Sequence, residues 1–102
     1  MNRDRVIAIL REHEPELRAA GVERLSVFGS VARGEATETS DVDVVVRLMP
    51  DPGRRGFAYF GHLDDLERRL ESILGCEVDV IAEPVRNERV RESIEREALL
   101  AF

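Results

Sequence analysis

The chain has 102 residues, 43% hydrophobic, 35% charged and 5% aromatic, a size that suits one domain, residues 1–102, around one modest core, with no room for a second catalytic or regulatory unit. Its apolar runs, Ala98 to Phe102 among the longest, are far short of the roughly 18–20 residues of a membrane span, and Asn2, Arg3, Asp4 and Arg5 begin no signal-peptide core, so a soluble cytoplasmic protein is expected. All 15 basic residues are arginine, which removes lysine-based phosphate binding, Schiff-base and lysyl-adenylate chemistry, and the net charge of −6 argues against a nucleic-acid partner and for a small molecule or another protein.

Taken in chain order, Val6, Ile7 and Leu10 repeat at helical spacing, and Pro15 starts a second short helical stretch through Leu17 that ends at Gly21. Arg24 to Phe28 reads as a strand. Val42 to Leu48 is apolar on both faces, with Val42, Val44 and Val46 on one side and Val45 on the other, as expected in the middle of a sheet. Met49 to Gly56, with two prolines and two glycines, is a loop. From Ala58 to Leu74 the stripe Tyr59, Leu63, Leu66, Leu70 and Ile73 marks an amphipathic helix stopped by Gly75. Glu77 to Ala82 is a third short strand closed by Pro84, and Asn87 to Leu100, with Val90, Ile94 and Ala98 four apart, reads as a final helix. The order α-β-α-β-α-β-α implies a small α/β (α+β) fold, a mixed sheet of about three strands packed with helices.

The lone Cys76 can form neither an internal disulfide nor a multi-cysteine zinc site and is expected to pack as a small apolar side chain; His13 and His62 have no second ligand at metal spacing. The alternating charges of Asp64 to Glu71 and Glu88 to Glu97 are solvated helix faces, and Arg54 and Arg55 either touch nucleotide phosphate or a partner or, as the default, are solvated loop residues.

Phe28-Gly29-Ser30 leaves a strand through a residue that lets backbone approach a ligand closely, and a helix beginning near Ser30 would aim free amides and one hydroxyl at an anion. By itself this dipeptide is most often an ordinary turn. Asp41-Val42-Asp43 adds two carboxylates on one strand face, with Cα atoms about 6.5–7 Å apart. They either form a solvated acidic turn or hold a hard cation such as Mg²⁺ together with substrate phosphate oxygens. Asp79 interrupts a second apolar strand, and a neighbouring position would bring it beside that pair. Three such carboxylates can hold two Mg²⁺ ions for in-line displacement at phosphorus. Glu77 shares its strand face and competes for the role; Asp79 is preferred because both its flanks are apolar.

The segment Leu25-Ser26-Val27-Phe28-Gly29-Ser30-Val31-Ala32-Arg33-Gly34-Glu35, followed by Ser40-Asp41-Val42-Asp43 and a later Asp79, resembles the polymerase-β-like nucleotidyltransferase superfamily. Within it, the pattern is similar to the minimal nucleotidyltransferases, the MntA-type antitoxins of HEPN/MNT toxin–antitoxin modules. That resemblance implies ATP as substrate, with Gly29 and Ser30 holding its β and γ phosphates and Arg33 as a secondary phosphate contact. It further implies Asp41 and Asp43 as catalytic metal ligands and Asp79 as the third carboxylate, which helps deprotonate the acceptor hydroxyl. The expected reaction is transfer of AMP to a tyrosine hydroxyl of a HEPN ribonuclease, which is thereby silenced. A chain this small would leave the nucleotide face open, and a docked protein acceptor would shield it. The alternatives are nucleotidyl transfer to a small hydroxylated molecule such as an aminoglycoside, and an antitoxin that acts by occlusion alone.

Overall fold

The computed structural model describes residues 2–35, 41–51 and 57–102. Asn2 caps the first helix, α1 (Arg3–Glu12), its side chain accepting a hydrogen bond from the Arg5 amide at 2.8 Å, and Val6 and Leu10 bury completely on its inner face. Pro15 lies in the first turn of α2 (Glu14–Ala19), where its missing N–H is harmless, and Leu17 is fully buried. Then come β1 (Val22–Phe28), a single helical turn α3 (Gly29–Ala32), β2 (Val42–Leu48), α4 (Phe57–Leu74), β3 (Val78–Ala82), α5 (Glu88–Glu97) and β4 (Leu99–Leu100).

The four strands form one mixed sheet in the order β3-β2-β1-β4. β2 pairs antiparallel with β1 and parallel with β3, so it occupies the interior position expected of its apolar sequence. Val42, Val44 and Val46 are at most 1% exposed and join Val6, Leu10, Leu66 and Leu70 in the core; each such buried side chain contributes about 1.5–3 kcal/mol. Of the predicted α4 stripe, Leu66 and Leu70 bury fully, while Tyr59, Leu63 and Ile73 are half-buried. Cys76 is half-buried against the core, and burial pushes its thiol up.

Besides shifts of one residue at the starts of α4 and β3, two boundaries differ from expectation because of pairing in the sheet. β1 begins at Val22 rather than Arg24, across an irregularity in its pairing with β2 that no residue pattern announces. The last helix stops at Glu97: Ala98 takes extended dihedrals of −62° and 136°, and Leu99 and Leu100 become a fourth strand against Val27 and Ser26. This correction to the α-β-α-β-α-β-α order has a tertiary cause, because the strand gains its partners only when the C-terminus returns to β1. Arg11 of α1 then donates to the carbonyls of Ala101 and Leu100, at 2.7 and 3.4 Å. No helix among the described residues is long and apolar enough to cross a membrane.

Candidate active site

Antiparallel pairing brings the C-terminal end of β1 to the N-terminal end of β2, with Phe28 opposite Asp43. Parallel pairing brings the start of β3 to the same end, with Asp43 opposite Asp79. One corner of the sheet therefore collects the turn at Gly29 and Ser30 and the carboxylates at 41, 43, 77 and 79. These carboxylates form two rungs. Asp43 and Asp79 are register partners on the strands proper, and Asp41 and Glu77 lie close enough to act on one another just before them, where the Val42 amide donates to the Glu77 carbonyl at 3.0 Å. The competition between Glu77 and Asp79 thus takes a definite form: Glu77 has Asp41, just ahead of β2, as its partner, and Asp79 is the neighbour of Asp43 within it.

The rungs are electrostatically unfavourable as they stand. Burial pushes the Asp43 carboxyl up, and the charges of Asp79 and Asp41 and the hydrogen bond to Asp79 push it further, with Arg33 pulling the other way. The charge of Asp41 is the main cause that raises Glu77. Asp43 is half-buried, whereas Asp41, Glu77 and Asp79 are exposed, so the corner opens to solvent.

Gly29 is buried with φ +76°, and a Cβ there would collide with Asp43 Oδ2 and lie 3.2 Å from Asp43 Cγ. Glycine at this position therefore meets two requirements together, a left-handed backbone and a passage past the carboxylate. Ser30, partly exposed, follows in α3. The turn is closed by the Arg33 amide donating to the Gly29 carbonyl at 3.1 Å and the Glu35 amide to the Ser30 carbonyl at 2.9 Å. Arg33 ends α3, and its guanidinium donates to Glu35 and to Glu97, both at 2.9 Å. The pairing with Glu97 went unseen in the sequence, since 64 residues separate the partners and both lie in charge-rich segments. Ser40, Arg54 and Arg55 fall outside the described residues.

The donor set suits a hard dication: it consists of carboxylate oxygens only, and its mutual repulsion is what a cation relieves. Among the described residues no three acidic, histidine or cysteine side chains already converge on one point; the carboxylates stand in pairs. Mg²⁺ characteristically takes one or two protein carboxylates and completes its shell with water and substrate phosphate, which such pairs can serve.

The sequence profile of the nucleotidyltransferase domain matches residues 4–101. The chain belongs to this family. The nucleotidyltransferase is 35% identical to the protein adenylyltransferase MntA of Thermococcus cleftensis over 97 residues, 94% of this chain and 92% of that protein. A provisionally assigned protein adenylyltransferase of Methanocaldococcus jannaschii is 37% identical over 93 residues, 89% of each chain. Among solved structures, a provisionally assigned minimal nucleotidyltransferase superposes with a TM-score of 0.72 at 39% identity, over 97% of this chain and 95% of that one. The same fold recurs at 17% identity and a TM-score of 0.57 in a Shewanella oneidensis complex of tri-AMPylated HEPN toxin with MNT antitoxin, over 99% of this chain and 69% of that one.

Proposed function

We propose that this nucleotidyltransferase is a cytoplasmic, Mg²⁺-dependent protein adenylyltransferase that transfers AMP from ATP to a tyrosine hydroxyl of a partner HEPN toxin and so acts as its antitoxin. The observation that carries this reading is the pairing of Asp43 with Asp79 beside the turn at Gly29, where a bare backbone and two rungs of carboxylates meet at one open corner of the sheet.

Each residue takes a definite role in this reading. The Gly29 backbone and the Ser30 hydroxyl receive the β and γ phosphates, with Arg33 as a further contact. Asp41, Asp43 and Asp79 hold up to two Mg²⁺ ions. Bound magnesium supplies charge neutralisation at the phosphates and makes the acceptor hydroxyl more acidic. Asp79, on the outer strand and exposed, orients that hydroxyl and accepts its proton. The hydroxyl oxygen bonds to the α-phosphorus, the bond from that phosphorus to the bridging oxygen breaks, and pyrophosphate leaves. The corner is open to solvent, and a docked protein acceptor both delivers the hydroxyl and excludes water. The net charge of −6 fits a protein partner better than a nucleic acid.

The test is mass spectrometry of a HEPN-domain partner after incubation with the enzyme, ATP and Mg²⁺. AMP on a tyrosine of the partner is the expected result. A partner that is inhibited but unmodified would establish occlusion instead, and AMP transfer only to small hydroxylated molecules would redirect the substrate assignment.

A further inference from the structure

We infer that Glu97, at the far end of the chain, is a positioning residue that holds Arg33 ready for a phosphate of the incoming nucleotide. The inference rests on the proposed role of Arg33 as a phosphate contact and adds a residue to it from another element.

Arg33 is divided between two carboxylates with different surroundings. Glu35 accepts from Nε, sits two residues away and is 63% exposed; Glu97 accepts from Nη1, comes from the end of α5 and is only 17% exposed. A charge-assisted bond to the more shielded carboxylate is screened less by water, so Glu97 is the firmer of the two anchors. These bonds use Nε and Nη1, and neither employs Nη2. The anchored guanidinium is also close enough to the carboxylate corner for its charge to act on Asp43. The turn is braced from α1 as well, where Arg3 donates to the Ala32 carbonyl at 3.4 Å.

A free arginine samples many rotamers, and part of that freedom is lost when it grips a ligand. If Glu97 has already ordered Arg33, a nucleotide phosphate meets a prearranged donor and the loss on binding is smaller. The placement of α5 thereby acquires a consequence for nucleotide affinity: the C-terminal end of this helix holds the guanidinium that follows α3.

The experiment is titration of Mg·ATP into wild type, Glu97→Gln, Arg33→Ala and the double variant, each first shown to be folded by circular dichroism, with KM and kcat for AMP transfer alongside. Glu97→Gln is expected to weaken ATP binding about two- to tenfold, the range for immobilising one flexible side chain, with the loss in KM rather than in kcat. In the Arg33→Ala background Glu97→Gln should have no further effect, because the residue it positions is gone; a merely structural role would add its loss in both backgrounds. Unchanged or tighter ATP binding by Glu97→Gln would overturn the inference, tighter binding showing that Glu97 competes with phosphate for Arg33. Additive losses would overturn it as well. Failure of wild type itself to bind ATP would instead strike the proposed function.

Discussion

Two left-handed glycines of this chain differ in a way that permits a controlled experiment. Gly29 and Gly75 have φ of +76° and +72°, but a Cβ at Gly75 would meet nothing within 4 Å, whereas at Gly29 it would run into the Asp43 carboxylate. Gly75→Ala therefore carries only the backbone penalty, about 1–2 kcal/mol. Gly29→Ala carries that penalty and an overpacking term of about 1–3 kcal/mol, because Asp43 must leave its position beside Asp79, giving about 2–5 kcal/mol in all. Urea denaturation of both variants without metal measures the difference. In an Asp43→Ala background the excess at Gly29 should vanish, leaving the two glycines equal. The displaced carboxylate should also weaken Mg·ATP binding in folded Gly29→Ala but not in Gly75→Ala, with a β-branched Gly29→Val worse than alanine. Equal destabilisation at the two sites, an excess that survives Asp43→Ala, or wild-type ATP affinity in Gly29→Ala would each refute the close-approach argument.

Three further outcomes are expected. Asp43→Asn should raise the stability of the metal-free protein near neutral pH, since it removes a charge that burial and two carboxylate neighbours disfavour, and should abolish Mg·ATP binding; thermal melting and calorimetric titration check the opposite signs, and destabilisation would contradict the electrostatic account. Excess EDTA should eliminate ATP binding, as no lysine is present to offset the carboxylates, and equally tight binding in EDTA would count against a metal site. Asp79→Asn should still bind Mg·ATP while AMP transfer falls by roughly 10²–10⁴-fold, whereas Glu77→Gln should transfer nearly as wild type; the reverse order in steady-state kinetics would move the proton-accepting role to Glu77.

How far the sequence discloses this structure depends on the range of the forces involved. β2 was legible to the residue, because an apolar run broken only by Asp43 and Arg47 has few other places to go than the interior of a sheet. α4 was legible from its stripe and its terminal glycine, to within one residue at its start. β4 was not: two residues have no periodicity, and Val90, Ile94 and Ala98 continue a helical pattern that the pairing of Leu99 with Val27 overrides. In the site, spacing placed Asp41 and Asp43 on one face, and the apolar flanks singled out Asp79. The register that sets Asp79 against Asp43 and leaves Glu77 to Asp41 exists only in the assembled sheet, as does the bond between Arg33 and Glu97.

The two faces of β2 show why that register matters. Val42, Val44 and Val46 face the helices and are almost wholly excluded from water, so this side of the strand anchors the fold. Asp43 shares the other side with Val45, which is also buried, so its carboxylate is held at the border between a dry sheet and an open corner. A carboxylate in bulk solvent would be only weakly affected by its neighbours, and one fully enclosed would lose its charge. At the border it is shielded enough for Asp79 and Asp41 to raise it, yet accessible to a ligand. In the proposed function, the repulsion among these carboxylates would be relieved when positive charge arrives, so affinity for a metal-bound nucleotide would have its source in an arrangement that costs the unliganded fold stability.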